Sequence, residues 1–192
     1  DVLCDGEFYC HLDMGVLGRH NAMNALAAAA AAWMMGIPGE TVSRGLQAFH
    51  GAGRRMEIKG TYNGADVYDD YAHHPDEVAA TLAAVRNAMP GRRLVLAFQP
   101  HTYSRTSALF DDFVRELSKA DVLVLAEIYA ARERNTIGIS SADVAEKIPG
   151  AVFCETLPEV TQFLRANVRE GDVVITMGAG DIFRAGEALL GK

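Results

Sequence analysis

Three short runs constrain the fold of this chain more than any other feature. "RLVLAF" (93–98), "DVLVLAE" (121–127) and "DVVITMG" (172–178) are apolar at almost every position. A strand with one wet face alternates polar and apolar residues, whereas a strand buried on both faces does not. Around these runs lie segments whose apolar residues recur every three or four positions. One begins at Pro75 and carries Val78, Leu82, Val85 and Met89 on one face. "TSALFDDFVRELSKA" (106–120) carries Leu109, Phe110, Phe113 and Leu117, and "LPEVTQFLRANVRE" (157–170) carries Val160, Phe163, Leu164 and Val168. "SSADVAEKI" (140–148) and "DIFRAGEALLGK" (181–192) read as further helices, and "AVFCE" (151–155) as a short strand. The alternation predicts an α/β fold with a doubly wound, mostly parallel sheet. In such sheets ligands gather at the carboxyl ends of the strands.

The first quarter of the chain has a different pattern. "DVLCDGEFYCHLDMGVLG" (1–18) reads as strand, turn, strand about Asp5–Gly6. Residues 20–36 form an alanine-rich helix with Gly36 as its stop, and Pro38 opens a second short helix. "HGAGRR" (50–55) reads as a connector, which divides the chain into units of residues 1–51 and 52–192. The second unit opens with a β-hairpin, "RMEIKGTYNGADVYDD" (55–70), turning at Asn63–Gly64. No leader precedes the first strand, and the start reads as the middle of a longer protein.

Composition excludes some partners. With 192 residues, 49% hydrophobic, and a net charge of −7, the chain can bury a core but is a poor coat for nucleic acid or an anionic membrane. The apolar run "ALAAAAAAWMMGI" (25–37) is too short and alanine-rich to span a bilayer. Three cysteines, an odd number with no C-x-x-C, point to reduced thiols and a cytoplasmic setting.

Four stretches carry candidate chemistry. "DDYAHHP" (69–75) ends a strand. Neighbours on a strand face opposite ways, so Asp69 with Asp70, or His73 with His74, are poorly placed to share a metal ion, and no metal is expected. Pro75, Asp76 and Glu77 suit a helix entry, which leaves Asp70, Tyr71 and His73 unexplained. "FQPHTYSRT" (98–106) leads a buried strand into a helix start beside His101 and Arg105. It reads either as an anion site or as simple capping by Ser104 or Thr106. In "GRHNAMNA" (18–25), Asn21 and Asn24 share a helix face and could read an adenine edge, or could be a cap and a surface residue. "GAGD" (178–181) is a weak fragment of a dinucleotide fingerprint, and no complete G-x-x-x-x-G-K-[ST] loop occurs.

Together, "GRHNAMNALAA", "FHGAGRRME", "DDYAHHPDEV", "FQPHTYSRT" and "MGAGD" resemble the Mur ligases of peptidoglycan synthesis, from about Gly18 to the end. The resemblance is strongest to members that join L-alanine to UDP-N-acetylmuramate. It implies an ATP-dependent amide ligase working through an acyl phosphate. It also implies the tail of a central ATPase domain followed by a Rossmann-like ligase domain, with most Mg2+ ligands upstream. By resemblance Asn21 and Asn24 would meet the adenine side of ATP, and Arg55 and Asp70 its ribose. Tyr71, His73, His101 and Arg105 would surround the incoming alanine, His73, His101 and Arg105 being the catalytic candidates. Many relatives carry arginine where this chain has Thr102, which removes one cation from that pocket. Without a phosphate-binding loop, this chain alone is expected to be inactive. The alternatives are a cell-wall-recycling ligase that joins a tripeptide, a non-catalytic nucleotide- or peptide-binding module, and a dinucleotide oxidoreductase. The short "KGTYNGAD" hairpin and the wording of "FQPHTYSRT" favour the alanine reading, and the absent glycine fingerprint disfavours the last.

Overall fold

The computed structural model describes every residue except Leu17 and His50, and of His20 only the backbone. Leu17 in the first hairpin stretch and His50 in the connector therefore lie outside the described residues.

The chain begins with an antiparallel pair, β1 (Val2–Cys4) and β2 (Glu7–Cys10), turning at Asp5–Gly6. Helices α1 (Arg19–Met34) and α2 (Gly39–Gln47) pack beside it around a small core of Val2, Cys10, Ala29 and Val42. Alanine's helix propensity sustains α1, because Ala25 and Ala29 are its only buried positions among those described. Gly18, not Asn21, occupies the helix cap position. All three cysteines are free thiols.

The rest is one six-stranded sheet in the order β3-β4-β8-β5-β6-β7. Its strands are β3 (Glu57–Tyr62), β4 (Ala65–Asp70), β5 (Leu94–Phe98), β6 (Val122–Ala126), β7 (Val152–Cys154) and β8 (Val173–Met177). Only β3 runs antiparallel, paired to β4 through the Asn63–Gly64 turn. Both turn residues have positive φ, 48° and 78°, as a tight hairpin of this sequence requires. Strand alternation sorts the core into two layers. Leu94, Leu96 and Phe98 face α3 (Pro75–Ala88), α5 (Phe110–Leu117) and α6 (Ser141–Glu146). Val95 and Ala97 face α7 (Leu157–Asn167) and α8 (Phe183–Leu189). Helices therefore cover both faces, which is why the inner strands carry no polar alternation.

The expected helix 106–120 is instead two. It begins earlier, as α4 (Tyr103–Ala108), and breaks at Leu109 before α5. Phe113 of α5 packs on Phe98 at 5.6 Å between ring centroids, while α4 stays at the strand ends. The break lies where the chain stops serving the sheet edge and starts covering the sheet. No helix among the described residues is long and apolar enough to cross a membrane.

Candidate functional site

The central strands bring "DDYAHHP", "FQPHTYSRT" and "TMGAGD" to one edge, because β4, β8 and β5 are parallel neighbours. Backbone bonds continue the sheet past the strand ends: Gly178 N–H donates to the Asp70 carbonyl at 3.0 Å, and Gln99 N–H to that of Met177 at 3.0 Å. Arg54 locks this edge. Its Nε donates to Asp69 Oδ2 at 2.8 Å, Nη2 to the Gly178 carbonyl at 2.7 Å and Nη1 to the Gly180 carbonyl at 3.2 Å. The guanidinium lies between the rings of Tyr71 and Phe183, 4.9 and 4.8 Å from their centroids. Sequence reading singled out Arg55 and missed Arg54. Nothing local separates two adjacent arginines; only the fold shows which one turns inward.

Asp69 and Asp70 point to different surroundings, as strand geometry demands. Asp69 faces Arg54 and Thr176, whose Oγ1 donates to it at 2.9 Å. Asp70 accepts from the amides of Met56 at 2.9 Å and Ala72 at 2.7 Å, tying the connector to the strand end. Burial raises its pKa, partly offset by those two amides and by Arg55. The back half of the motif starts a helix. His74 is the cap residue of α3 and Glu77 returns the bond to the cap amide, with Pro75 at the helix start. Burial would raise the Glu77 pKa, but the amides of His73 and His74, with His73 and Arg55, hold it below the ordinary range.

Asn21, Asn24, Arg55 and Asp70 line one cavity of about 680 Å³ between α1 and the start of the sheet. Ala25, Ala28, Leu46 and Phe49 give it an apolar wall. Size and lining suit a flat heteroaromatic ring with a polar edge. Arg55 faces Glu77, Nη1 to Oε1 at 3.9 Å, with half its side chain exposed.

Tyr71, His73, His101 and Arg105 form a second cluster. The Tyr71 and His73 ring centroids are 5.4 Å apart, and His73 and His101 5.8 Å. His101 stacks on Tyr129 at 5.6 Å and 19° between planes. His101 Nδ1 and Arg105 Nη1 are buried without a hydrogen-bond partner among the described residues. Burial lowers the His101 pKa, with Arg105 and then His73 adding to the effect and Glu133 opposing it. An imidazole nitrogen biased toward its neutral form beside a guanidinium nitrogen with no hydrogen-bond partner among the described residues suits a small ligand carrying a carboxylate and an amine.

Two expectations for "FQPHTYSRT" need correction. Neither Ser104 nor Thr106 caps α4: Thr106 Oγ1 bonds back to the Thr102 carbonyl at 2.7 Å, and Ser104 N–H donates to Glu133 Oε2 at 2.9 Å. Nor is the helix start open to an anion, because Glu133 occupies it; Arg105 Nη1 is the arginine nitrogen that is buried without a hydrogen-bond partner among the described residues. Glu133 lies 29 residues from Ser104, so no sequence window holds both.

The glycines of "GAGD" serve packing. A Cβ on Gly180 would collide with Gln99 Oε1 and lie 2.7 Å from Tyr129 Cγ, which leaves no room for a pyrophosphate. Gly186–Lys192 spells the first seven positions of a phosphate loop, but Gly186 is helical and packed on Thr176. Among the described residues no three His, Cys, Asp or Glu side chains gather as a metal ion would need.

The family model for the Mur ligase glutamate ligase domain matches residues 54–180. A UDP-N-acetylmuramate–L-alanine ligase of Lachnospira eligens is 49% identical over 98% of this chain and 42% of its own length. The crystal structure of a UDP-N-acetylmuramate-alanine ligase from Thermotoga maritima superposes with a TM-score of 0.81 at 29% identity, over 97% of this chain and 40% of that one. A murein peptide ligase of Psychrobacter arcticus gives 0.67 at 25% identity, over 94% and 38%. The chain thus spans about two fifths of the length of the curated relatives it matches.

Proposed function

Because this chain belongs to the Mur ligase family, we propose that it is the carboxyl-terminal part of an ATP-dependent ligase that joins L-alanine to UDP-N-acetylmuramate. In this reading residues 1–51 end a central ATP-binding domain, residues 52–192 form the Rossmann-like ligase domain, and the enzyme works in the cytoplasm. One observation carries the reading. The turn from Asp70 to His73 lies between a nucleotide-sized cavity and the buried Arg105 Nη1 and His101 Nδ1, which have no hydrogen-bond partner among the described residues.

ATP supplies the energy of the ligation by activating the sugar-acid carboxylate as an acyl phosphate. This chain's part is positioning. Asn21 and Asn24 hold the adenine edge, while Arg55 and Asp70 stand at the ribose side. Arg105 pairs with the amino-acid carboxylate. His101, neutral at physiological pH, accepts a hydrogen bond from the amine or takes up its proton. Tyr71 and His73 close the pocket. Most of the Mg2+ ligands and the phosphate-binding loop come from outside residues 1–192, so the chain alone ligates nothing. With Thr102 in place of a second arginine, Arg105 carries the carboxylate by itself.

The test is a ligation assay on the full-length protein with ATP, UDP-N-acetylmuramate and either L-alanine or the tripeptide. Product with L-alanine, and a KM for it raised at least tenfold by Arg105→Ala, is the expected result. Product with the tripeptide alone would assign the recycling activity instead.

A further inference from the structure

Arg105 is presented by a short helix whose start has an unusual anchor. Thr102 precedes α4 with φ 70° and makes no side-chain cap. The segment after β6 does that work. Tyr129 N–H donates to the Pro100 carbonyl at 2.8 Å, and Thr102 N–H to the Tyr129 carbonyl at 2.9 Å. Four residues on, Glu133 takes the Ser104 amide on Oε2 and the Ser104 hydroxyl on Oε1. Residues 129–133 thus strap both His101, through the Tyr129 ring, and the Arg105 helix, through Ser104.

A carboxylate on the strap facing a half-buried arginine could form an ion pair with it and close the site. Here the hydrogen bonds of Glu133 go to Ser104, first the hydroxyl and then the amide, and to the Tyr103 amide, and these, with a smaller contribution from the Arg105 charge, hold its pKa below the ordinary value. Arg105 Nη1 is left without a hydrogen-bond partner among the described residues.

We propose that Glu133 is a positioning residue for the amino-acid side of the site: by binding Ser104 it fixes the Arg105 helix and leaves the guanidinium open to the substrate carboxylate. This inference rests on the alanine-ligase reading and adds to it a residue that touches no substrate. The charged and titratable groups facing His101 are Arg105, His73 and Glu133, with the Tyr129 ring stacked on it.

Steady-state kinetics and histidine NMR on the full-length protein test it. Glu133→Ala is expected to raise the L-alanine KM at least tenfold while the ATP KM stays within about twofold. Glu133→Gln, which still accepts from the Ser104 amide, should recover most of the loss. In Glu133→Gln the His101 titration midpoint should fall, because a facing negative charge is gone. An alanine KM within twofold of wild type in Glu133→Ala, a parallel rise in both KM values, or an unmoved His101 midpoint overturns the proposal. If the wild-type protein does not ligate L-alanine, the functional reading fails, and the His101 midpoint alone then decides whether Glu133 governs this cluster.

Discussion

Arg54 Nε lies 2.8 Å from Asp69 Oδ2, and this pair joins the connector before β3 to the strand whose end carries the site. The Asp69 side chain is 1% exposed and that of Arg54 25%, so the pair is largely removed from water. The Arg54 carbonyl also accepts from Tyr71 N–H at 2.6 Å. One residue therefore sets the position of both the connector and the Tyr71 turn.

Removing one member of such a pair strands the other. Arg54→Ala should destabilise the protein by about 3–5 kcal/mol, the usual cost of an uncompensated buried charge. Arg54→Lys should recover little, since one ammonium cannot reach Asp69, Gly178 and Gly180 together. Urea unfolding of the three proteins measures this, and equal midpoints would exclude a structural role for the pair.

Gly180 sits under Gln99 and Tyr129 with no space for a methyl group. Gly180→Ala should cost about 1–3 kcal/mol, as overpacking usually does, and should disturb the stacking of Tyr129 on His101. Thermal unfolding reads the first effect and the His101 ring resonances the second.

Thr102 holds φ 70° and ψ 140°, a conformation that burdens a β-branched residue. Thr102→Gly should relieve strain on the order of 1–3 kcal/mol, less the chain entropy glycine adds to the unfolded state, for a net gain of about 1 kcal/mol. A lower midpoint in Thr102→Gly would mean that the Thr102 side chain contributes contacts worth more than the strain.

Glu77 gives a pH signature. Its folded pKa is lowered, so its contribution is complete above the ordinary carboxylate range and is lost as pH falls through the lowered folded value. Glu77→Gln should flatten stability over that acidic window and cost about 1 kcal/mol near neutrality, the usual worth of a helix cap. Unfolding midpoints between about pH 2 and 7 compare the two proteins, with the ordinary carboxylate pKa near 4 inside that window.

Periodicity foretold the strands, most helices and the layered architecture. These follow from near neighbours: an unbroken apolar run has two faces to bury, and His74-Pro75-Asp76-Glu77 carries its own helix start. The convergence of three motifs also followed, since parallel strands end on one edge. The break at Leu109 and the inward turn of Arg54 did not. Both depend on partners far along the chain, Glu133 for α4 and Asp69, Gly178 and Gly180 for Arg54.

By itself, then, the sequence determined the element types, the buried strands and the set of residues gathered at the sheet edge, because those are written in local spacing. The tertiary structure decided which polar groups are already satisfied and which remain open. Asp69 and Glu133 are used internally, while Arg105 Nη1 and His101 Nδ1 are not. Hydrogen-bond satisfaction depends on distances between segments tens of residues apart, and only the folded chain sets those distances.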